Sequence, residues 1–364
     1  MRRYWIFSLL LLICLLSLFG CIRMRTIDKL SIVHVFGFDL AEDKQLIGTA
    51  LYPDYTQSKT FDDVQVLRVK APASSLFYQK MNKHTKTPVK LSKIRVLVIG
   101  KDYAEQGIAA TVSRFINTPE LGTSIQVAVS EQSAEKTLTA FSKEKSLTLV
   151  DMLQHNMKTQ NLPEMNLHNF LNHFYGQGLD SYVPMINLDK DDKIMVNGIG
   201  IFKDDKFKLQ LNEEQTFLFS TLKDSHNEGS LKLNVKEKDR KGLLIVRGFK
   251  NRQRWKVVEN RQQEQELKLT LHLECSIYQY PNWIDIKKEE DKKLLKKYIK
   301  TGVKKKVEGL LATLKENEVD PVGIGNIVRS KEKVWNERSF YERYPTLPIQ
   351  VEVQIEVIHS GLDV

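Results

Sequence analysis

Two stretches in the last third of the chain leave the least freedom. In LKLTLHLECSI, apolar Leu267, Leu269, Leu271, Leu273, Cys275 and Ile277 fall on every second position. In PIQVEVQIEVI, Ile349, Val351, Val353, Ile355 and Val357 alternate with Gln350, Glu352, Gln354 and Glu356. Successive side chains of a strand point to opposite faces, so a period of two demands strands with one dry and one wet face. Half-wet strands are the habit of antiparallel sheets, and antiparallel pairing is expected for both. Between them the period changes. Leu295, Ile299, Val303, Val307, Leu310, Leu311 and Leu314 recur at helical spacing from about Lys288 to Lys315, with lysines over most of the remaining surface. Glu289, Glu290 and Asp291 lie in the first turn, where they suit the helix dipole. The product is an α+β domain with a long helix laid on the dry face of a sheet.

Upstream, LSIVHVFGFDL, QLIGTALYPDY and VQVLRVKAP read as strands separated by turn residues. KIRVLVIGKDYAEQGIAATVSRFIN reads as a buried strand that turns through Gly100 into one helix. Asp102 is placed to cap that helix, with Glu105 three residues on, and Ala104, Ile108, Val112, Phe115 and Ile116 form its apolar stripe. TSIQVAVSEQSAEKTLTAF opens a further strand, and shorter helical pieces run on to Phe174. GLDSYVPMINLDKDDK, charged around Lys190, reads as a loop and a domain boundary, and IMVNGIGIFKDDKFKLQL as a hairpin turning at Asp204 and Asp205. GLLIVRGF and RWKVVEN read as two more strands. In DPVGIGNIV, Asp320 can cap a helix whose first position is Pro321. The expected fold class is α+β, multidomain with two to three units, its antiparallel or mixed sheets flanked by helices. The units are residues 21–118, 119–200 and 201–364, after a leader of residues 1–20.

The leader is set by its length. Tyr4 to Phe19 is apolar but shorter than the ~20 residues that cross a bilayer. Arg2 and Arg3 precede it and small Gly20 ends it, the layout of a secretory signal. Ordinary secretory cleavage favours a small residue three places before the cut, where this chain has Leu18. Leu18, Phe19, Gly20, Cys21 resembles instead the lipobox of bacterial lipoproteins, in which the cysteine thiol is joined to diacylglycerol before cleavage. That resemblance implies Cys21 as the lipidated first residue of the mature chain, S-diacylglyceryl and N-acyl, with Leu18 and Gly20 as the cleavage flank. An uncleaved anchor helix with an incidental cysteine is the alternative. Of three cysteines, Cys14 leaves with the leader and Cys21 is taken by lipid, so Cys275 has no disulfide partner within the chain and reads as a small core residue. The net charge of +10 loses only two arginines with the leader, and the remainder stays basic. About 340 residues exceed what one core usually holds.

Arrangements that carry chemistry are missing. His168 and His173 are five apart, off the spacing of four that puts two ligands on one helical face, and no paired cysteines or HExxH occur. No metal or other cofactor is expected. GIGIF and GIGNI lack the third glycine of a dinucleotide loop, and turns or close packing explain them. VSEQSAEKTL lacks the flanking glycines of a nucleophile elbow. Carboxylate pairs lie in charged loops. The chain is not expected to be an enzyme, which counts against a wall-modifying activity. The basic run KEKDRKGLLIVRGFKNRQRWK and the lysine-rich helix after Lys288 suit a solvated face, anionic headgroups or an acidic partner. An exported, tethered chain meets no nucleic acid.

A lipobox, then IDKLSIVHVFGFDLAEDKQL, KIRVLVIGKDYAEQGI, NGIGIFKDDKF and DPVGIGNIVRSKEKVWNERSFYERYPTLPIQVEVQIEVIHSG, in that order, resemble the C subunits of GerA-type spore germinant receptors, the Ger(x)C family. The resemblance spans nearly the whole mature chain. It implies a lipoprotein on the outer face of the spore inner membrane, acting with integral-membrane A and B subunits to turn the arrival of nutrients into germination. It also implies α+β domains of unusual topology without known catalytic residues, and a scaffold or transducer role, since the family's nutrient site is assigned more readily to the B subunit. A lipid-anchored solute-binding protein serving a permease is the alternative from a different class; its lobes would carry parallel sheets.

Overall fold

In the computed structural model, the described residues are 5, 29–54, 64–116, 121–122, 124–144, 148–159, 161–223, 226–259 and 265–360. Leu18, Gly20 and Cys21 lie outside them. Among the described residues, no helix is long and apolar enough to cross a membrane.

The first half is built on an eight-stranded sheet. Strands β2 (Val35–Leu40), β3 (Leu46–Pro53) and β4 (Val64–Ala71) form an antiparallel meander, after a short β1 (Ser31–Ile32). Helix α1 (Phe77–His84) and β5 (Val89–Lys90), which pairs parallel with β1, lead back to β6 (Val96–Gly100), parallel beside β2. Helices α2 (Lys101–Gln106) and α3 (Ala109–Ile116) cross to β7 (Gln126–Ser130). Helices α4 (Ala134–Ser142), α5 (Leu149–Lys158) and α6 (Leu167–Tyr175) cross to β8 (Tyr182–Leu188). A second antiparallel meander, β8, β9 (Ile194–Lys203) and β10 (Lys206–Leu211), closes the sheet in the order β10-β9-β8-β7-β6-β2-β3-β4. Its centre, β2, β6, β7 and β8, is parallel. All five residues of β6 and of β7 are buried, as strands covered on both faces must be. Val96 and Val98 face one core with Leu138 and Leu153 of α4 and α5, whereas Leu97 and Ile99 face the other with Phe77 and Ile108.

Both boundaries expected from the sequence, 118/119 and 200/201, lie within the span of this one hydrogen-bonded sheet. GLDSYVPMINLDKDDK is not a loop throughout: its middle is β8, and the stretch after Leu188 is a tight hairpin turn into β9. Asp189 Oδ1 accepts from the N–H of Asp191 at 2.8 Å and of Lys193 at 2.9 Å, and a few residues later β9 turns through Asp204, in the left-handed region at φ 52°, into β10 as expected.

The expected single helix after β6 is two helices. Gly107, at φ 115°, breaks it before Ile108. Asp102 does not cap: Gly100 holds the cap position, no side chain bonds there, and Asp102 lies in the first turn. Ala104, Ile108 and Val112 are buried as expected, while the side chains of Phe115 and Ile116 lie outside the description.

Helix α7 (Glu213–Lys223) joins the halves. Thr216 to Leu222 are all buried, so no polar stripe announces it in the sequence. Its signal is a capping box: Asn212 Oδ1 accepts from Gln215 N–H at 2.9 Å and Gln215 Oε1 from Asn212 N–H at 3.1 Å. At its other end, Asn251 and Gln253 donate to the carbonyls of Thr221 and Lys223.

The second half is a four-stranded sheet, β11 (His226–Glu237), β12 (Arg240–Glu259), β13 (Gln265–Gln279) and β14 (Ile349–Ser360) in that order, with α8 (Glu289–Glu316) packed on its dry face. GLLIVRGF and RWKVVEN are one long strand, β12, whose register shifts around Gly248. Every apolar residue assigned to the ladder of β13 and to the stripe of α8 is buried, at roughly 1.5–3 kcal/mol for each large aliphatic side chain. The pairing of β14 corrects the expectation. It runs parallel to β13, Leu271 opposite Val353. Alternation reports only that one face is covered. Direction follows from the connection, and α8 returns the chain to the start of β13 before β14 begins. Helices α9 (Ile324–Arg329) and α10 (Glu337–Arg343) fill that return.

Candidate functional site

Two buried aspartates hold helix starts, Asp39 one far away in sequence and Asp320 the one that follows it. Asp39, at the end of β2, accepts from Ala134 N–H at 2.7 Å and Glu135 N–H at 2.8 Å, and Ser133 Oγ accepts from Lys136 N–H at 3.1 Å. Together they satisfy the orphan donors that open α4. The serines of VSEQSAEKTL are thus structural: Ser133 caps, and Ser130 shares a 2.6 Å bond with Thr137.

The second aspartate anchors the most connected polar site among the described residues. Asp320 is fully buried; its Oδ1 accepts from Gly323 and Ile324 N–H at 2.9 Å each and its Oδ2 from Gly325 N–H at 2.6 Å. Its carboxylate takes the first N–H groups of the helix, but not from the expected cap position: Gly323 holds that position, the helix starts at Ile324, and Pro321 lies in the turn before it. Gly323 sits at φ 86°, where a side chain is strained. A Cβ on Gly325 would come within 2.6 Å of the Gly178 backbone, so GIGNI serves close packing.

Asp180 meets this turn from the other half of the chain. Its Oδ2 accepts from Asp320 N–H at 2.6 Å and from Tyr341 OH at 3.2 Å, and its own N–H donates to Asp320 O at 2.9 Å. Lys203, on β9, places Nζ 3.3 Å from Asp180 Oδ1 and 2.9 Å from the centre of the Tyr341 ring. Gly178 N–H donates to Glu337 Oε1 at 2.8 Å, Asn326 N–H to Gly178 O at 2.9 Å, and Tyr344 OH to Val319 O at 3.0 Å. Burial pushes the Asp320 carboxyl up to about 7 in spite of its three N–H partners, and the charge of Asp180 adds to the effect. Burial also raises Asp180, against the pull of Lys203. The hydroxyls of Tyr341 and Tyr344 are raised by burial and by both aspartates, so they stay protonated donors. One ammonium beside two buried carboxylates is a clamp. Six of these contacts join residues 178–203 to residues 319–344: the two between Asp180 and Asp320, Tyr341 with Asp180, Lys203 with the Tyr341 ring, and Gly178 with Glu337 and Asn326.

Beside the clamp opens a cavity of about 540 Å³ whose lining includes His173, Asp180, Lys203, Glu337 and Tyr341. His173 has a buried Nδ1 without a hydrogen-bond partner among the described residues, and burial lowers its pKa to about 4. His168 instead bonds Asn172 at 3.0 Å on the exposed side. Among the described residues, no three acidic, histidine or cysteine side chains converge as a metal site would need. Cys275 is fully buried and its thiol pushed up to about 12, as fits a core residue. Sequence reasoning missed Asp180, Lys203, Glu337, Tyr341 and Tyr344. Asp180 sat in a stretch read as loop, and the tyrosines of SFYERYP follow no period.

Comparison with known proteins gives this architecture its relatives. Residues 23–188 match the family model described as the spore germination protein N-terminal domain, and residues 197–361 the one described as spore germination B3/GerAC like, C-terminal. The clamp therefore joins the two matched regions. The chain is 23% identical to the spore germination protein GerQC of Bacillus cereus, over all of this chain and 99% of that one. Its fold matches the crystal structure of the GerBC protein with a TM-score of 0.59 at 14% identity, over 89% of this chain and 96% of that one. The chain belongs to the Ger(x)C family of spore germination proteins.

Proposed function

We propose that this chain is the lipid-anchored C subunit of a spore germinant receptor. Cys21 carries the lipid and holds the chain on the outer face of the spore inner membrane. There it works with the integral-membrane A and B subunits as a scaffold or transducer of the nutrient response, without catalysis. The observation that carries this reading is the extent of the two family matches, which begin at residue 23, two residues after Cys21, and end at residue 361. A tether at the start of a folded chain raises its effective concentration beside membrane partners without a tight contact of its own. Cys21→Ala tests the anchor: the variant should stay unprocessed or leave the membrane fraction, because two or more acyl chains make attachment nearly irreversible. Fractionation and gel mobility identical to wild type would contradict it.

A second reading, a solute-binding protein, draws on one feature. A pocket of about 420 Å³ has Phe36, Phe38 and Phe77 at its floor and Ser74, Lys90 and Arg114 at its rim. A saturable rise in melting temperature with the receptor's nutrients would favour it, since a ligand stabilises what it binds.

A further inference from the structure

The surface of α8 carries a charge pattern that folding does not need. From residue 292 to residue 307 the helix holds eight lysines and no acid. Lys293, Lys296, Lys297, Lys300 and Lys304 lie within about a third of the helix circumference, all exposed, beside a buried stripe of Leu295, Ile299 and Val303. Only Lys304 of these five has an ion pair among the described residues, with Glu308. Lys293 and Lys297, Lys296 and Lys300, and Lys300 and Lys304 are like charges four apart, which destabilise a helix. Elsewhere the same helix does pair its lysines, Lys292 with Glu289 and Lys306 with Glu214. The stripe is thus a cost to folding, confined to one face.

The face continues around the edge of the sheet. The charge of Lys300 reaches Glu352 of β14, and Lys296 lines a cleft of about 870 Å³ together with Lys250, Arg252, Arg254 and His272 from the wet face; Glu274, paired with Lys250, and Glu356 line it too, so the basic side chains outnumber the acids. Arg252 and Arg254 have no ion pair among the described residues.

We propose that the lysine stripe of α8, continued by this cleft, is a docking surface for the anionic phospholipid headgroups of a membrane. Lysine suits that occupant. It is a compact charge on a flexible stem, fitted to mobile phosphates, whereas specific bidentate recognition draws on arginine. The stripe spans about 16 Å, the width of a few headgroups, at 1.5 Å per residue. It offers no aromatic or aliphatic anchor among its exposed residues, which a specific protein contact would centre on. The binding is electrostatic and reversible, and does not depend on Cys21 carrying lipid.

The full chain, mixed with vesicles of phosphatidylcholine alone or with added phosphatidylglycerol, tests this by amine labelling of each lysine. Labelling of Lys293, Lys296, Lys297 and Lys300 should fall severalfold only with phosphatidylglycerol and recover at high salt, while Lys136 on α4 stays unchanged. Each Lys→Gln change in the stripe should weaken vesicle association about fivefold without lowering the melting temperature. Equal labelling with both vesicles would overturn the proposal. So would protection by native membranes but not by their extracted lipid, which would identify a protein partner instead.

Discussion

Asp320 shows how one residue can carry two tasks. As a cap it satisfies three N–H groups, and as a neighbour of Asp180 it is a buried charge beside another. Asp320→Ala should therefore cost about 2–4 kcal/mol, more than an exposed cap, because the freed donors are buried. Thermal unfolding against wild type measures it. Lys203→Met should cost about 3 kcal/mol or more by leaving Asp180 uncompensated. The pH dependence has a definite sign. The folded pKa of Asp320, about 7, lies above its unfolded value near 4, so its protonated form is favoured by folding. That contribution is fully present below about pH 4 and is lost as the pH rises to about 7, on the order of 4 kcal/mol. Asp180 acts in the same direction and buried His173 in the opposite one. The difference in melting temperature between wild type and Asp320→Asn should accordingly shift in favour of the Asn variant from pH 5 to pH 8. A constant difference would mean that Asp320 stays ionised throughout.

At the scale of elements, the final strand gives the sharpest contrast. Val353 is fully buried and Gln354 exposed on the same strand. Val353→Asp should cost several kcal/mol and Gln354→Asp almost nothing, measured by denaturant unfolding. Equal stabilities would mean that β14 has no dry face. The elements legible in the sequence were those with a clean period: β13, β14, α8 and the β9–β10 hairpin. What failed failed for physical reasons. Period two says which face is dry but not which way the neighbour runs, so the parallel pairing of β14 was missed. Helix α7 is buried all round, and with no wet face it has no stripe; only Asn212 and Gln215 mark its start. The clamp was half legible, since Asp320 and the glycines of DPVGIGNIV stood out. Asp180 and Lys203 meet it only through a tertiary contact between distant segments.

Among the described residues, the two large sheets are joined by a buried helix and locked by a polar clamp. Asp180, Lys203, Asp320 and Tyr341 join the halves through buried charges that are expensive to separate, so the scaffold or transducer proposed above would move as one body. The most direct test of the account is germination of spores that lack this gene, in a strain whose other nutrient-receptor operons are also deleted and with the wild-type gene restored as control. The deletion spores should fail to respond to this receptor's nutrients while still germinating with agents that bypass receptors, and the restored gene should recover the response. A normal nutrient response without the gene would contradict the account.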